Sequence, residues 1–542
     1  MKLKHNPFLL LILVCLGIFF VNLDAIYINI MEARNFITAR EMLVDGNWIF
    51  TSMNGLPRYE KPPLPTWMTA ISMLVFGMES LFALRLPAAL MGMLVVLMTY
   101  IFSLKLTGHK VFAFVAALIS ATSFHIILSG RDGQWDIFTH AFMLVCIFFL
   151  HKIFTKEPLQ YRNAILAGIF FGFSFLSKGP VSLYALLLPF LIAYGTIFRF
   201  KEIYPIWLPL VVFAVVAIPT SILWNVYVYT HDTTAVAEIT SKETGRWLNY
   251  NVRPFYYYWS FVVQSGLWTI PAFTALLYPY LKNKVFNKKA YTFTLIWTLA
   301  AVILLSLIPE KKSRYLLPVL IPLAMNTAFY MEYLFRSFKT LTSKKETFPV
   351  YFHFGLIAFI ACVFPIAAYI YFRENIANFW TWYLLTSLLL VPIGIGIFIF
   401  LRKKQIETVF YLTIAFIVSI LCVGIPMAKG ITQNPDFNSI TNVTPYLEKN
   451  NAPLFEFQSF TPEIIWEYGK PIPVLFDGEN YNLPQKNTFY VLVNTSEETE
   501  FQNVFKEYTI QKTDSFDMNP VGVKNRSHKV RLHRNLYRVE KL

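Results

Sequence analysis

Long apolar runs recur along the chain with short polar connections between them, and this alternation sets the expected architecture. Runs long enough to cross a bilayer fall at roughly 8–29, 80–104, 111–129, 137–154, 163–177, 180–198, 204–229, 260–281, 291–308, 315–335, 351–371, 379–401 and 408–427, which makes about thirteen spans. The shortest, 163–177, runs into Lys178-Gly179-Pro180, which reads as a tight turn into the next span. From about 430 onward the pattern becomes that of a soluble domain. Residues 454–458, 472–476 and 488–494 read as strands, and 462–468 and 496–508 as helices. The second of these helices has Thr495 and Glu498 as a capping box, with Phe501, Val504, Phe505 and Tyr508 on one face. We therefore expect a polytopic α-helical membrane domain over 1–429, with an outer loop at 30–66, and a small outer α/β domain over 430–542.

One polar stretch, 32–67, lies between two apolar segments and carries the densest set of chemically useful groups. Its first part, 32–44, sets Ala33, Phe36, Ile37 and Val44 on one helical face and Arg34, Thr38, Glu41 and Asp45 on another, and Gly46 follows as a stop. That pattern predicts a helix lying along a membrane surface, with Glu32 and Glu41 on its solvated face. Its second part, Arg58-Tyr59-Glu60-Lys61-Pro62-Pro63, places a carboxylate between two cations and stiffens the chain through its prolines.

Composition agrees with the pattern. The 542 residues are 56% hydrophobic and only 15% charged, which excludes an ordinary soluble protein. The net charge of +15 sits mostly in alternate short connections, so it reports topology rather than nucleic-acid binding. By that rule the N-terminus is cytoplasmic and the C-terminus outside. The four cysteines lie far apart in apolar spans and read as small core residues, not as a disulfide or metal set. The first span has the basic start of a signal peptide but no clean cleavage site, and it is read as an anchor.

Several outer connections point to the same chemistry. Asp136 stands where a span begins, a costly depth for a carboxylate without a partner or a function, and Arg131 precedes it. Arg85 near a span end reads as a snorkelling cation. The loop before 260 carries Arg246 and an aromatic run at 255–259, and Lys311, Lys312 and Arg314 crowd a connection that should be neutral. Together the outer loops offer Glu32, Glu60 and Asp136 as bases, with Arg34, Arg58, Lys61, Arg131, Lys178, Arg246, Lys311, Lys312 and Arg314 as cations. So many cations beside a low-dielectric interior suit a lipid phosphate. A sugar on a polyprenyl phosphate can then be attacked at its anomeric carbon, with fixed cations stabilising the departing phosphate and a carboxylate taking the acceptor's proton. Taken singly, each of these residues has a plain structural reading as an interfacial anchor or exposed pair.

The stretch MEARNFITAREMLVDGNWIFTSMNGLPRYEKPPLPTW resembles the first outer loop of the lipid A aminoarabinose transferases and their relatives, the dolichyl-phosphate-mannose protein mannosyltransferases, all of the GT-C type. The resemblance continues through Arg85-Leu86-Pro87, Arg131…Asp136, Ser177-Lys178-Gly179-Pro180, Arg246, Pro254-Phe255-Tyr256-Tyr257 and Arg314-Tyr315-Leu316-Leu317-Pro318. It implies inverting transfer of a glycosyl unit from an undecaprenyl-phosphate-type donor, on the outer side of a bacterial inner membrane, to lipid A, another glycan or a protein. Lys61 and Arg246 would hold the donor phosphate, helped by Arg58, Tyr59 and Arg314, and Tyr315 would line the carrier-lipid cavity. Asp136 would be an essential carboxylate. The family's loop opens with an Asp-Glu pair, whereas here the Asp position is Met31, leaving Glu32. Asp136 or Glu32 then takes the proton, or the acceptor is an ionised phosphate, or the chain is silent. No cofactor is required, and a divalent ion on Glu32, Glu60 and Glu243 stands as an alternative. From other classes, a transporter or flippase of a lipid-linked sugar, or a silent assembly subunit, are the competing readings. A transporter would place its ionisable groups on broken helices near the midplane of an internally repeated fold, and no repeat is present.

Overall fold

The computed structural model describes residues 6–200, 206–373, 376–428 and 434–541, with the side chains of 246–248 outside the described set. The chain folds as two compact units. The first comprises Met1–Leu23 and Tyr59–Met427, the second Asp24–Arg58 and Ala428–Leu542. The outer loop expected to go with the membrane domain is thus divided at Arg58.

The first unit is helical and multi-pass. Among the described residues, seven helices are long and apolar enough to cross a membrane: Leu81–Thr107, Asp136–Phe154, Trp207–His231, Lys288–Leu307, Lys344–Tyr371, Ile376–Arg402 and Ile406–Met427. An eighth arises if Lys110–Ala121 and Phe124–Gly130, bent by 66°, count as one span. Several expected spans are interrupted. The 260–281 run begins as a 3-10 segment, Phe255–Trp268, and continues as two short helices, Thr269–Ala275 and Tyr278–Leu281. Gly266, at φ +66°, breaks the ladder there. The run at 180–198 starts as a π segment, Leu183–Leu187. The 163–177 run is a regular helix, Gln160–Lys178, ended by Gly179 at φ +72°, which leaves Lys178 as its last residue.

The second unit is built on a four-stranded sheet of Leu454–Glu456, Thr488–Val493, His533–Lys541 and Tyr508–Asp517, in that spatial order. The first pair is parallel and the other two are antiparallel. Alternation along Thr488–Val493 explains why both faces are covered. Tyr490 and Leu492 enter one apolar cluster with Ile440, Ile465 and Leu536, whereas Phe489, Val491 and Val493 enter a second with Phe457, Phe501 and Phe505. Residues 472–476, expected as a strand, make only isolated bridges through Val474 and Phe476. The helix expected at 496–508 is shorter, Glu498–Val504, after a 3-10 turn.

The helix expected on a membrane surface belongs to this unit. Helix Ile30–Val44 buries Ile37 in the first of those clusters and sets the Phe36 ring edge-on to Trp466 at 5.6 Å. Several of its polar residues, Glu32, Asn35, Thr38 and Glu41, are buried as well, and Arg40 is half-buried. Arg40 donates to the carbonyls of Ile465 and Trp466 at 2.9 Å each, satisfying groups at the C-terminal end of helix Pro462–Tyr468, and lies 5.1 Å from the Trp466 ring. Glu41 is 4% exposed, and its carboxylate accepts from Ser52 Oγ at 2.6 Å and Asn54 N at 2.7 Å, anchoring the Asn54-Gly55 hairpin between Ser52–Met53 and Leu56–Pro57. The solvated face expected for Glu32 and Glu41 is therefore a buried hydrogen-bonding face.

Candidate functional site

In the first unit the polar groups gather around Asp136. It is the first residue of helix Asp136–Phe154, where a carboxylate is favoured by the amide end of the helix. Lys178 ends helix Gln160–Lys178, where a cation is favoured. The two close an ion pair that joins these neighbouring helix ends, with side chains only 5% and 9% exposed. Lys178 Nζ stands 5.0 Å from the Tyr315 ring, and Arg314 and Lys312 lie 5.8 and 5.7 Å from the same ring. Arg314 Nη1 is 3.4 Å from Gln134 Oε1, and Arg314 and Lys61 both lie within electrostatic range of Lys178. The structure thus brings together Asp136, Lys61, Arg314 and Tyr315 of the residues selected from sequence.

Loop pairing positions the Tyr315 side. Arg253 N donates to Pro309 O at 3.2 Å and Lys311 N to Asn251 O at 3.1 Å, and Val252 bridges Glu310 antiparallel. Glu310 accepts an ion pair from Lys312 at 2.5 Å and lies 3.4 Å from Tyr315 Oη. Tyr59 Oη donates to Asp232 at 2.8 Å, tying the Lys61 loop to the end of helix Trp207–His231. Burial, followed by that bond, pushes the Tyr59 hydroxyl up to about 12, so it stays a donor at neutral pH.

The other outer cations have structural partners. Arg131 donates to the carbonyls of Ile18 and Asn22 at 2.6 and 2.8 Å, at the end of the first span, rather than pairing with Asp136. Arg85, expected to snorkel, is 2% exposed and donates to Leu23 O at 2.5 Å. Lys311 donates to Ile308 O at 2.5 Å and Arg253 O at 3.0 Å, and burial lowers the pKa of its ammonium.

The remaining sequence candidates lie elsewhere. In the second unit, Glu32 accepts from Asn29 N at 3.2 Å and closes a capping box at the start of its helix, and Arg58 Nη1 donates to Thr38 Oγ1 at 2.9 Å. Arg246 falls on helix Thr233–Asn249, with its side chain outside the described residues. No group of three His, Cys, Asp or Glu side chains that could hold a metal occurs among the described residues, so Glu60 is not part of one there. Sequence reasoning counted Lys178 only as one cation among many and passed over Gln134, Asp232 and Glu310. The signal available for Lys178 was its place at the last turn before Gly179.

A family model described as dolichyl-phosphate-mannose-protein mannosyltransferase matches residues 60–224. An undecaprenyl phosphate-alpha-4-amino-4-deoxy-L-arabinose arabinosyl transferase 2 of Pseudomonas fluorescens is 28% identical over 304 residues, covering 54% of this chain and 50% of the relative. The corresponding transferase 1 of Proteus mirabilis is 26% identical over 312 residues, covering 56% and 55%. The chain thus matches about half the length of these curated relatives. The crystal structure of ArnT from Cupriavidus metallidurans bound to undecaprenyl phosphate has the same fold, with a TM-score of 0.67 at 15% identity over 98% of this chain and 97% of that one.

Proposed function

We propose that this chain, which is of the GT-C, aminoarabinose-transferase and protein-mannosyltransferase type, moves a sugar from a polyprenyl-phosphate donor to an envelope acceptor. The observation that carries the reading is the buried Asp136–Lys178 pair set among Lys61, Arg314 and Tyr315. There the cations outnumber the carboxylate, so the cluster suits an anion that buries itself with a lipid tail. Lys61, Lys178 and Arg314 would hold the donor phosphate and stabilise the charge it gains as the glycosidic C–O bond breaks. Tyr315 would cover the phosphate, and Arg246 and Tyr59 would complete its surroundings. Attack from the opposite side of the anomeric carbon inverts it. The names of the curated relatives, and the undecaprenyl phosphate in the Cupriavidus structure, support a C55-type carrier.

The finer parts of the proposal are the thirteen-span topology, a bacterial inner membrane, an inside N-terminus and an outer C-terminal α/β unit. Lipid A, another glycan or a protein is the acceptor. No metal is needed; transfer that survives chelation supports this point, and loss restored by a divalent ion returns Glu60 to consideration. The deciding experiment is mass spectrometry of lipid A, surface glycans and envelope glycoproteins from cells carrying the normal chain, Asp136→Asn or Lys61→Ala. Loss of one sugar from one glycoconjugate in both variants is the expected outcome. Identical glycans in all three, where a deletion does alter them, would refute transfer at this site and favour a flippase.

A further inference from the structure

We propose that Thr139 and Ser174 are positioning residues of this site, which set the Lys178 ammonium where a donor phosphate meets it; the inference rests on the phosphate-binding reading above. Thr139 stands three residues after Asp136 on helix Asp136–Phe154, and Ser174 four residues before Lys178 on helix Gln160–Lys178. Each therefore lies about one turn beneath its charged neighbour, on nearly the same side of its helix. Both are fully buried. Their bonds are reciprocal: Thr139 Oγ1 donates to Ser174 O at 3.0 Å, and Ser174 Oγ donates to Thr139 O at 2.8 Å. Buried hydroxyls on these helices commonly bond back within their own helix, as Thr99 does to Val95 O, Ser177 to Phe173 O and Thr298 to Thr294 O. Thr139 and Ser174 reach across to the neighbouring helix instead.

Two opposed bonds fix what a single bond or an apolar contact leaves free. Each residue supplies one hydroxyl and one carbonyl, so neither helix can slide along or turn against the other without lengthening a bond. The register of the two helices, and with it the height of Lys178 against Asp136, is set at this level. The ion pair cannot do this alone, because an ammonium on a flexible four-carbon stem accepts many positions around a carboxylate. Helix Gln160–Lys178 is held on another side too. Gly168 and Gly172 face helix Trp207–His231 so closely that a Cβ at Gly168 would lie 2.8 Å from Val216 Cβ, and Thr220 Oγ1 reaches Gly168 O at 3.4 Å. At its last turn the helix thus delivers an ammonium that Asp136 holds through one N–H, 5.0 Å from the Tyr315 ring, with further N–H donors left for an anion.

The test measures binding of undecaprenyl phosphate to the full chain in nanodiscs by native mass spectrometry, with melting followed alongside. Thr139→Val/Ser174→Ala removes both bonds and should bind about tenfold more weakly, the scale on which small misplacements of a positioned group act. Thr139→Ser keeps the hydroxyl and should bind like the normal chain. In the Asp136→Asn/Lys178→Met chain the same two substitutions should weaken binding no further, because no ammonium remains to be misplaced. Ser174→Ala alone removes one bond, should show the same dependence on the charged pair, and is the variant read if the double substitution does not fold. Variants without the bonds that bind like the normal chain overturn the inference, and so does an equal loss in both backgrounds, which marks a structural bond only; either result leaves the phosphate reading intact. A normal chain that does not bind undecaprenyl phosphate, or that binds it no better than Asp136→Asn/Lys178→Met, overturns both.

Discussion

Substituting the two halves of the Asp136–Lys178 pair, singly and together, separates its structural role from its chemical one. Both side chains are nearly inaccessible, so removing one partner leaves a charge in a low-dielectric site, a loss of about 3–5 kcal/mol. The two losses should be unequal. Asp136→Asn leaves Lys178 facing Arg314 and Lys61 with no anion between them, whereas Lys178→Met leaves Asp136 with Arg314 still acting on it. Asp136→Asn should therefore be the more damaging single change. The double variant removes both buried charges and should recover most of the loss, giving a coupling of up to about 3 kcal/mol. The assay is at hand in the sequence. Cys15 and Cys146 are buried and Cys362 and Cys422 half-buried, so a thiol-reactive dye reports melting of the membrane unit directly. Strictly additive losses would refute the coupling, and singles that melt with the normal chain would refute a charged pair altogether. On the proposed function, the double variant regains stability without regaining transfer.

Three further outcomes follow from the second unit. Glu41→Gln keeps the shape but removes the charge that Ser52 and Asn54 bond, a loss of about 2 kcal/mol, and should speed proteolytic cutting near Asn54-Gly55; an unchanged cutting rate would count against it. Residues 428–542 made alone should show poor amide dispersion by NMR and become ordered when a 24–58 peptide is added, because Ile37 and Arg40 close one face; a well-dispersed spectrum without the peptide would contradict this. Burial pushes the Glu456 carboxyl up to about 7 against the opposing pull of Arg534, so the folded unit holds that proton where an unfolded chain would release it near the ordinary carboxyl value of 4.5. Its contribution is fully present below about 4.5 and is lost as pH rises through 7. Hydrogen exchange in 533–541, corrected for intrinsic rates, should show this decline in the normal chain and not in Glu456→Gln; equal slopes would refute it.

The membrane character was plain in the sequence because hydrophobic run length answers directly to bilayer thickness. The interruptions were not. Nothing in the apolar composition of 260–281 distinguishes a continuous span from one in which Gly266 adopts a left-handed backbone. Helix Ile30–Val44 was visible as a helix, but its environment was misread, since Arg40 and Glu41 look solvated until their partners are known, and those of Arg40 lie more than 420 positions away. Strands Tyr508–Asp517 and His533–Lys541 escaped notice because charged and polar residues interrupt their alternation. Lys512 pairs with Tyr537, and a register shift follows before Asp514.

At the site, sequence found the right kinds of residue but could not sort them, because a cation bound to a carbonyl and one beside a carboxylate look alike in a string of letters. The connection at 309–315 shows the difference. Three cations there exceed what an outer loop should carry, and by sequence alone all three call equally for an anion. Lys311 is taken up by the carbonyls of Ile308 and Arg253, and Lys312 by Glu310. Arg314 is the one directed toward Gln134 and the Lys178–Asp136 pair. The same sorting assigns Arg85 and Arg131 to chain carbonyls near the end of the first span. The surplus that calls for an anion is therefore smaller than the sequence implied but concentrated at one buried point. A single lipid-borne phosphate, rather than a dispersed anionic surface, matches a charge distribution of that kind.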